Sequence, residues 1–475
     1  MGPGARPGRH FAEAELSGIL LTVLGIVCFA IGLLFSIGFH EFGHFFWARK
    51  FGMRVPQFMV GFGPTVFSRT RGETEYGLKA IPMGGYIRIV GMIPPAEEGE
   101  SKRATRMRSF IAEVRGQSLN DVLPTDGERV FYRKPWWQRV VVMFAGPFNN
   151  LVLAVLFFTV ILMGFGVPES TTTLARVPAC VLPAGAESAT LPDACQVPIV
   201  TTGADAGQIC DEGSPNCALP EQSPASKAGL RPGDTIVSID GEPISRETDV
   251  GWTQVQEAIR VSADTPVVFG IERDGDRRDL TVTPIENTVY VSAESEETRR
   301  VGFVGVSPAQ AYARQSITAV PGFLGDRVVQ SVDRLLEIPQ RIPQLFRATF
   351  LGEERDPQGP IGVVGVGRIS GEVFAFDDYS ATEKISFFLQ LLASVNLVLF
   401  LFNLLPVYPL DGGHVAGALY EKARSTVARV RGRPDPGPFD IARLMPVAYA
   451  VAGVFLALSA LLFIADIVNP ITLAG

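Results

Sequence analysis

Phe39-His40-Glu41-Phe42-Gly43-His44-Phe45-Phe46-Trp47 closes an almost uncharged apolar run that starts at Leu20 and has about the twenty residues a membrane-spanning helix needs. On a helix, residues four apart lie on one face, one turn from each other, so His40 and His44 aim two imidazoles at one point. Two neutral imidazoles can hold Zn²⁺, and Glu41 beside them can take a proton from a water activated by the metal. Ionisable groups are costly in hydrocarbon, so a His-Glu-His set in a span marks a functional site. A catalytic zinc takes three protein ligands and leaves one position open. The third ligand must come from elsewhere in the chain.

The 475 residues are 47% hydrophobic and 19% charged, with a mean hydropathy of +0.23. This is too apolar for an ordinary soluble enzyme and too polar for a bare helix bundle, and it fits a few spans joined to a water-soluble part. A net charge of −7 and a pI near 5.4 offer no basic surface, so no nucleic-acid partner is expected. Four stretches qualify as spans: 18–46, 140–166, 386–405 and 445–468. Arg6 and Arg9 give the first one the flank of a signal peptide. It is nevertheless longer than such a segment, lacks a small-residue cleavage site and carries the His-Glu-His set, so it is read as retained.

Lys and Arg near span ends set orientation. The 48–139 loop holds sixteen, among them Arg49, Lys50, Arg54, Arg133, Lys134 and Arg139. The 406–444 loop is basic too, with Lys422, Arg424, Arg429 and Arg431. Both are expected in the cytoplasm, which places 167–385 and both termini outside. Cys180, Cys195, Cys210 and Cys217 all fall in that outer segment, and Cys28 lies in a span. Clustered thiols in an oxidising compartment point to disulfides. Three pairings are open, and a structural zinc or free thiols are the alternatives.

Phe58 to Ile89 reads as strands and tight turns around Val60-Gly61-Phe62-Gly63-Pro64, with period-two alternation from Thr74 to Ile81. Such hairpins either offer an extended peptide an unpaired edge or merely cover the helix end. Residues 94–134, with Glu97, Glu98, Glu100, Lys102 and Arg103, read as a charged irregular loop. The second span opens Phe144-Ala145-Gly146-Pro147-Phe148-Asn149-Asn150, where small residues allow close helix approach and an Asn needs a partner. In the outer segment, Ser223 to Gly241 contains a short helix ended by Gly229, a Pro232-Gly233-Asp234 turn and an alternating strand ended by Asp240-Gly241. It resembles the most recognisable part of a bacterial PDZ domain, with 178–222 as an insertion and no clear loop for a peptide carboxylate. Residues 321–351 read as a pair of amphipathic helices, lying in the membrane interface or packed on the PDZ domain.

The third span ends Phe402-Asn403-Leu404-Leu405-Pro406-Val407-Tyr408-Pro409-Leu410-Asp411-Gly412-Gly413-His414. Pro406 and Pro409 break the helix, and broken backbone is tolerated at membrane depth only where it lines protein or water. Asp411 is a carboxylate on that turn, the expected third ligand beside His40 and His44. The fold class that follows is a multi-span α-helical membrane protein of about four transmembrane helices, with a membrane-associated β-hairpin region and an extracytoplasmic PDZ (α+β) domain. The expected divisions are 1–48, 49–139, 140–166, 167–310, 311–385, 386–413, 414–444 and 445–475.

These motifs together resemble the site-2 protease family of intramembrane zinc proteases, in particular its bacterial RseP-type branch. The likeness rests on His40-Glu41-x-x-His44, Gly61-x-Gly63, Asn403-x-x-Pro406, Leu410-Asp411-Gly412 and the Ala145-Gly146-Pro147 to Asn149 segment, in order along nearly the whole chain. A single PDZ domain and the Cys-bearing insertion depart from some members. The resemblance implies a bacterial inner or plasma membrane enzyme working in the lipid bilayer. Its substrates would be single-span membrane proteins, often anti-sigma factors, already cut outside the cell. It further implies zinc on His40, His44 and Asp411, with Glu41 as catalytic base. Asn403 and Pro406, with Gly61 and Gly63, would contact substrate, Asn403 at the substrate's backbone or the developing oxyanion, and His414 would support a metal ligand or the metal-site turn. Two other readings stay open: a membrane-anchored zinc protease for soluble or unfolded chains at the cytoplasmic face, and a PDZ scaffold with a structural metal.

Overall fold

The computed structural model describes residues 8–95, 113, 115–116, 120–186, 194–201, 206–211, 213–214, 216–290, 298–376 and 379–472. Glu97, Glu98, Glu100, Lys102 and Arg103 of the expected charged loop lie outside the described residues. Two compact units emerge, Met1–Ile161 with Ser316–Gly475, and Leu162–Gln315.

The first unit begins with α1 (Gly8–Lys50), β1 (Gln57–Arg71), β2 (Thr74–Arg88) and α2 (Trp136–Val160). The second unit holds β3 (Val167–Arg176), β4 (Ile199–Val200), β5 (Cys217–Ala218), α3 (Pro224–Lys227), β6 (Thr235–Ile239), β7 (Glu242–Pro243) and α4 (Val250–Val261). It continues with β8 (Val267–Arg273), β9 (Asp276–Val282), β10 (Ile285–Tyr290), β11 (Thr298–Phe303) and β12 (Ser307–Ala313). The first unit then resumes with α5 (Val320–Phe350), α6 (Val363–Ala375), α7 (Ala381–Asn403), α8 (Asp411–Val430) and α9 (Met445–Val468).

Among the described residues, four helices are long and apolar enough to cross a membrane: Gly18–Lys50, Trp136–Phe165, Ala381–Asn403 and Ile441–Val468. Their outer faces show large apolar side chains such as Leu20, Phe35, Leu456 and Phe463, a surface suited to lipid. Between helices, small residues set the spacing. A Cβ on Gly25 of α1 would come 2.6 Å from the Ser370 carbonyl of α6, while the Ser370 hydroxyl donates to the Gly25 carbonyl at 3.1 Å. Ser36 of α1 accepts from Asn396 of α7 at 2.8 Å. Such contacts replace the hydrophobic drive that is missing between helices in lipid. Buried Arg139 of α2 pairs with Glu421 of α8.

The expected set of hairpins is one antiparallel pair, β1 with β2, sharply irregular in register. Gln57–Val60 is registered both against Glu75–Leu78 and against Gly85–Arg88, so the sheet folds back on itself. The bend falls at Gly61 (φ +91°) and Gly63 (φ +81°), where a Cβ on Gly61 would meet the Ile81 carbonyl at 2.8 Å.

In the second unit the strand order is β12-β3-β6-β8-β9, with β7 on β6. Phe269 and Ile271 of β8, Ile236 of β6 and Val255 of α4 form its core. Ser223 caps α3 through the Ser226 N–H at 3.1 Å, Gly229 takes φ +84°, and β6 follows. The disulfides join Cys180 to Cys195 and Cys210 to Cys217.

Two expectations change. The pair of helices over 321–351 is a single helix, α5, which runs on through Pro339 and Pro343. The 414–444 loop is largely helix α8, and a further short helix, α6, lies before α7.

Candidate active site

α1 delivers His40 and His44 with ring centroids 4.8 Å apart. The turn after α7 brings the third group to them. Leu410 N–H bonds the Val407 carbonyl at 2.9 Å and Gly413 N–H the Leu410 carbonyl at 3.0 Å. Gly412 and Gly413 are the residues that let this turn close: a Cβ on Gly412 would strike the Leu404 and Leu405 carbonyls, and one on Gly413 would lie 2.8 Å from Tyr408 N. Asp411, the first residue of α8, is thereby aimed at both imidazoles. Its Oδ2 lies 3.2 Å from His40 Nε2 and 3.3 Å from His44 Nε2, and the two Nε2 atoms are 3.1 Å apart.

That triangle matches a zinc site. Ligand bonds of about 2.0–2.2 Å in a tetrahedron put donor atoms about 3.3–3.5 Å apart. Asp411 Oδ2 is buried without a hydrogen-bond partner, a cost that a cation at the centre of the triangle removes. Among the described residues His40, His44 and Asp411 form the one cluster of three such donors able to hold a metal.

α2 orients the two imidazoles. His44 Nδ1 donates to the Val142 carbonyl of α2 at 2.7 Å, which leaves the Nε2 lone pair for a metal. Asn150 of α2 puts its amide nitrogen 3.1 Å from His40 Nδ1, while its Oδ1 is buried and unpartnered. Turning that amide end for end lets Oδ1 accept from His40 Nδ1–H and satisfies both groups. Asn149 donates to the Phe39 carbonyl at 2.6 Å. This contact depends on close approach: a Cβ on Gly146 would overlap the His44 ring, and one on Gly43 would overlap the Ala145 carbonyl.

Glu41 is 9% exposed. The last segment of β2 lies against it: a Cβ on Gly85 would come 3.0 Å from Glu41 Cγ, and the Ile87 backbone N–H lies near its carboxylate. β1 occupies one edge of Gly85–Arg88, and the other edge has no strand partner among the described residues.

The structure brings His40, His44 and Asp411 together, with the buried Glu41 next to His40 on α1. Asn403 lies at the end of α7, where its amide donates to the Leu399 carbonyl at 3.0 Å, and Pro406 begins the ligand turn. Gly61 and Gly63 sit at the bend of β1, whereas Gly85 and Ile87 are the strand residues against Glu41. His414 packs edge-on against Tyr408 with ring centroids 4.8 Å apart, its Nδ1 buried and unpartnered, outside the ligand triangle. Asn150 was visible only as a polar residue in a span, and Gly85 only as half of a Gly-Gly pair.

Residues 28–433 match the model of Peptidase family M50. The zinc metalloprotease Rip1 of Mycobacterium tuberculosis (strain ATCC 25618 / H37Rv) is 32% identical over 464 residues, covering 96% of this chain and 100% of the relative. Rip1 of Mycolicibacterium smegmatis is 34% identical over 468 residues, 95% of this chain and 98% of the relative. The zinc metalloprotease RasP of Geobacillus kaustophilus is 25% identical over 468 residues, 87% and 91% of the two chains. The chain belongs to peptidase family M50, the site-2 proteases, and is a membrane-embedded zinc metalloprotease.

Proposed function

We propose that this protein is an intramembrane endoprotease that cuts the membrane-spanning segments of single-span proteins, with His40, His44 and Asp411 as zinc ligands and Glu41 as general base. The observation that carries the reading is the convergence of three donor atoms from two helices at the end of a span, with a carboxylate and a free strand edge beside them. When bound, zinc supplies Lewis-acid activation of water and of the scissile carbonyl. Glu41, buried next to the ligands, takes the proton of the attacking water and passes it to the leaving amine.

A substrate helix shields its peptide bonds with its own hydrogen bonds, so it must be extended before cleavage. The free edge of Gly85–Arg88 offers it a strand partner alongside Glu41. Gly61 and Gly63 contribute by bending β1 so that this edge reaches the site. Asn403, which still has an amide N–H beyond the one given to Leu399, is assigned to the substrate backbone, and Pro406 fixes the turn at its side.

The arginine- and lysine-rich flanks place the metal site toward the cytoplasm of a bacterial cell and the Leu162–Gln315 unit, read as a PDZ domain, outside. Anti-sigma-factor-type proteins trimmed by an earlier extracytoplasmic cut fit as substrates. The test is Glu41→Gln in the full chain, scored for zinc content and for cleavage of a single-span reporter. Zinc retained with cleavage lost supports the reading. Cleavage retained overturns it, as does normal signalling by the inactive variant, which would favour a scaffold.

A further inference from the structure

α2 carries one continuous stripe that touches the metal site at one end and α8 at the other. Trp136, Arg139, Met143, Gly146 and Asn150 are spaced three or four apart, so they share a face of the helix. At one end Gly146 lets the His44 ring approach, and Asn150 meets His40. At the other end Arg139 pairs with Glu421 of α8, and Lys422 stands 6.0 Å over the Trp136 ring. Between these ends Val415 of α8 joins the apolar cluster that contains Val142 and Met143. The two helices therefore run antiparallel. Asp411 is the first residue of α8, and Glu421 lies about 15 Å further along its axis.

The donors of the triangle thus belong to two parts. α1 and α2 form the first, joined by close approach at Gly43 and Gly146 and by the Asn149 bond to the Phe39 carbonyl. α8, with the turn before it, is the second. Apolar contact between them has no direction, so by itself it lets α8 tilt or slide. The ion pair is directional. Glu421 accepts from Arg139 at Oε1 and from the Phe439 N–H at Oε2, the latter at 2.8 Å. Arg139 and Glu421 side chains are only 7 and 16% exposed.

Stability is a poor reason for such a pair. Arg139 Nε is buried without a partner among the described residues, and uncharged side chains of similar volume often replace a buried ion pair at no cost. We propose that Arg139 and Glu421 are positioning residues for the metal, their pair fixing the tilt of α8 against α2. The inference rests on His40, His44 and Asp411 being the ligands. With α8 held at Glu421, Asp411 Oδ2 stays 3.2 and 3.3 Å from the two imidazole nitrogens. A tilt of about 4° over the ~15 Å between Glu421 and Asp411 moves the carboxylate by about 1 Å. That is several times the ~0.2 Å tolerance of a metal–ligand bond.

The test uses the full chain in nanodiscs. Glu421→Gln alone leaves Arg139 a buried charge without its anion and can cost the fold. The deciding variant therefore combines Arg139→Met with Glu421→Gln, which removes both charges and keeps an acceptor for the Phe439 N–H. Zinc affinity is read by competition with a chelating dye, ligand geometry by the visible absorption of bound Co²⁺, and stability by melting of the metal-free chain. The double variant should melt at or above the parent temperature, bind zinc about 10–100-fold more weakly, and show an altered Co²⁺ spectrum. Parental affinity and spectrum would overturn the inference. So would an affinity loss that tracks a lower melting temperature, since the pair would then be a structural contact only. Asp411→Ala in the same assay separates the two readings. Zinc lost there but held at parental affinity in the double variant removes the role of the pair alone, whereas zinc held by Asp411→Ala removes the ligand set beneath it.

Discussion

Asp411, the first residue of α8, and Asp466, in the last turn of α9, are both buried carboxylates in the membrane-spanning unit, and they are treated in opposite ways. Asp466, on α9, is fully buried and saturated: Oδ1 accepts from Arg355 at 2.9 Å, and Oδ2 accepts from Gly365 N–H, in the first turn of α6, at 2.7 Å. Arg355 also donates to the carbonyls of Pro360 and Asn469. Asp411 Oδ2 is buried with no donor and faces two imidazole nitrogens. A paired buried carboxylate holds elements together, whereas one without a hydrogen-bond donor beside two imidazoles suits a cation.

The contrast breaks most sharply on removal. Asp411→Ala should reduce bound zinc and cleavage to background, beyond the loss of about 10–100-fold typical of a residue that only supports a ligand. Its thermal unfolding without metal should be unchanged or improved, since an uncompensated carboxylate is gone. Metal analysis beside a melting curve decides this, and zinc retained in Asp411→Ala would remove it from the ligand set. Asp466→Ala should do the opposite. It leaves Arg355 buried without its anion, so stability should fall by about 3–5 kcal/mol. Zinc per folded chain should stay at the parent level.

Next come the residues that aim the ligands. Asn150→Ala removes the partner of His40 Nδ1 and should weaken zinc binding by about 10–100-fold with little loss of fold. Gly146→Ala pushes α2 away from the His44 ring, so it should lower zinc affinity through geometry alone. Competition with a zinc-chelating dye reads both. An Asn150→Ala protein of parental affinity would mean that His40 is oriented by its helix only.

The Asp411 half of this contrast was readable from sequence, because chemistry restricts zinc ligands to few residue types and His40-x-x-x-His44 fixes their spacing on a helix. The Asp466 half was not. Nothing local to Asp466 reveals that Arg355 and the Gly362–Gly365 turn fold onto it, and α6 is a glycine-rich helix of 13 residues, below span length. The segment 321–351 reads as two helices, yet α5 continues through Pro339 and Pro343, both of them exposed. In the strands, Gly61-x-Gly63 drew attention as a motif. The edge that meets Glu41 depends on how β1 folds back, and register of that kind is a tertiary property.

A third aspartate sharpens the comparison from outside the membrane, with the smallest expected effect. Asp234 in the Leu162–Gln315 unit is 1% exposed. Burial pushes its carboxyl up, but Arg273, donating at 2.6 and 2.7 Å, and the Arg231 N–H at 2.7 Å outweigh that and hold it below the usual carboxylate range. A carboxyl depressed in the folded state adds stability that is complete above its unfolded pKa of about 3.9. That stability is lost as pH falls through the folded value. Hydrogen exchange of the Thr235–Ile239 amides in the full chain, corrected for intrinsic rates, should therefore be flat from neutral pH to mildly acid pH and rise only below about pH 4. Arg273→Gln should give up about 1.5 kcal/mol of this protection at neutral pH and converge with the parent in acid. If the two curves stay parallel at every pH, Arg273 acts by packing and the carboxylate adds nothing. Convergence would show that a fully partnered aspartate stabilises by its charge, the role that Asp411, left without a donor, cannot have.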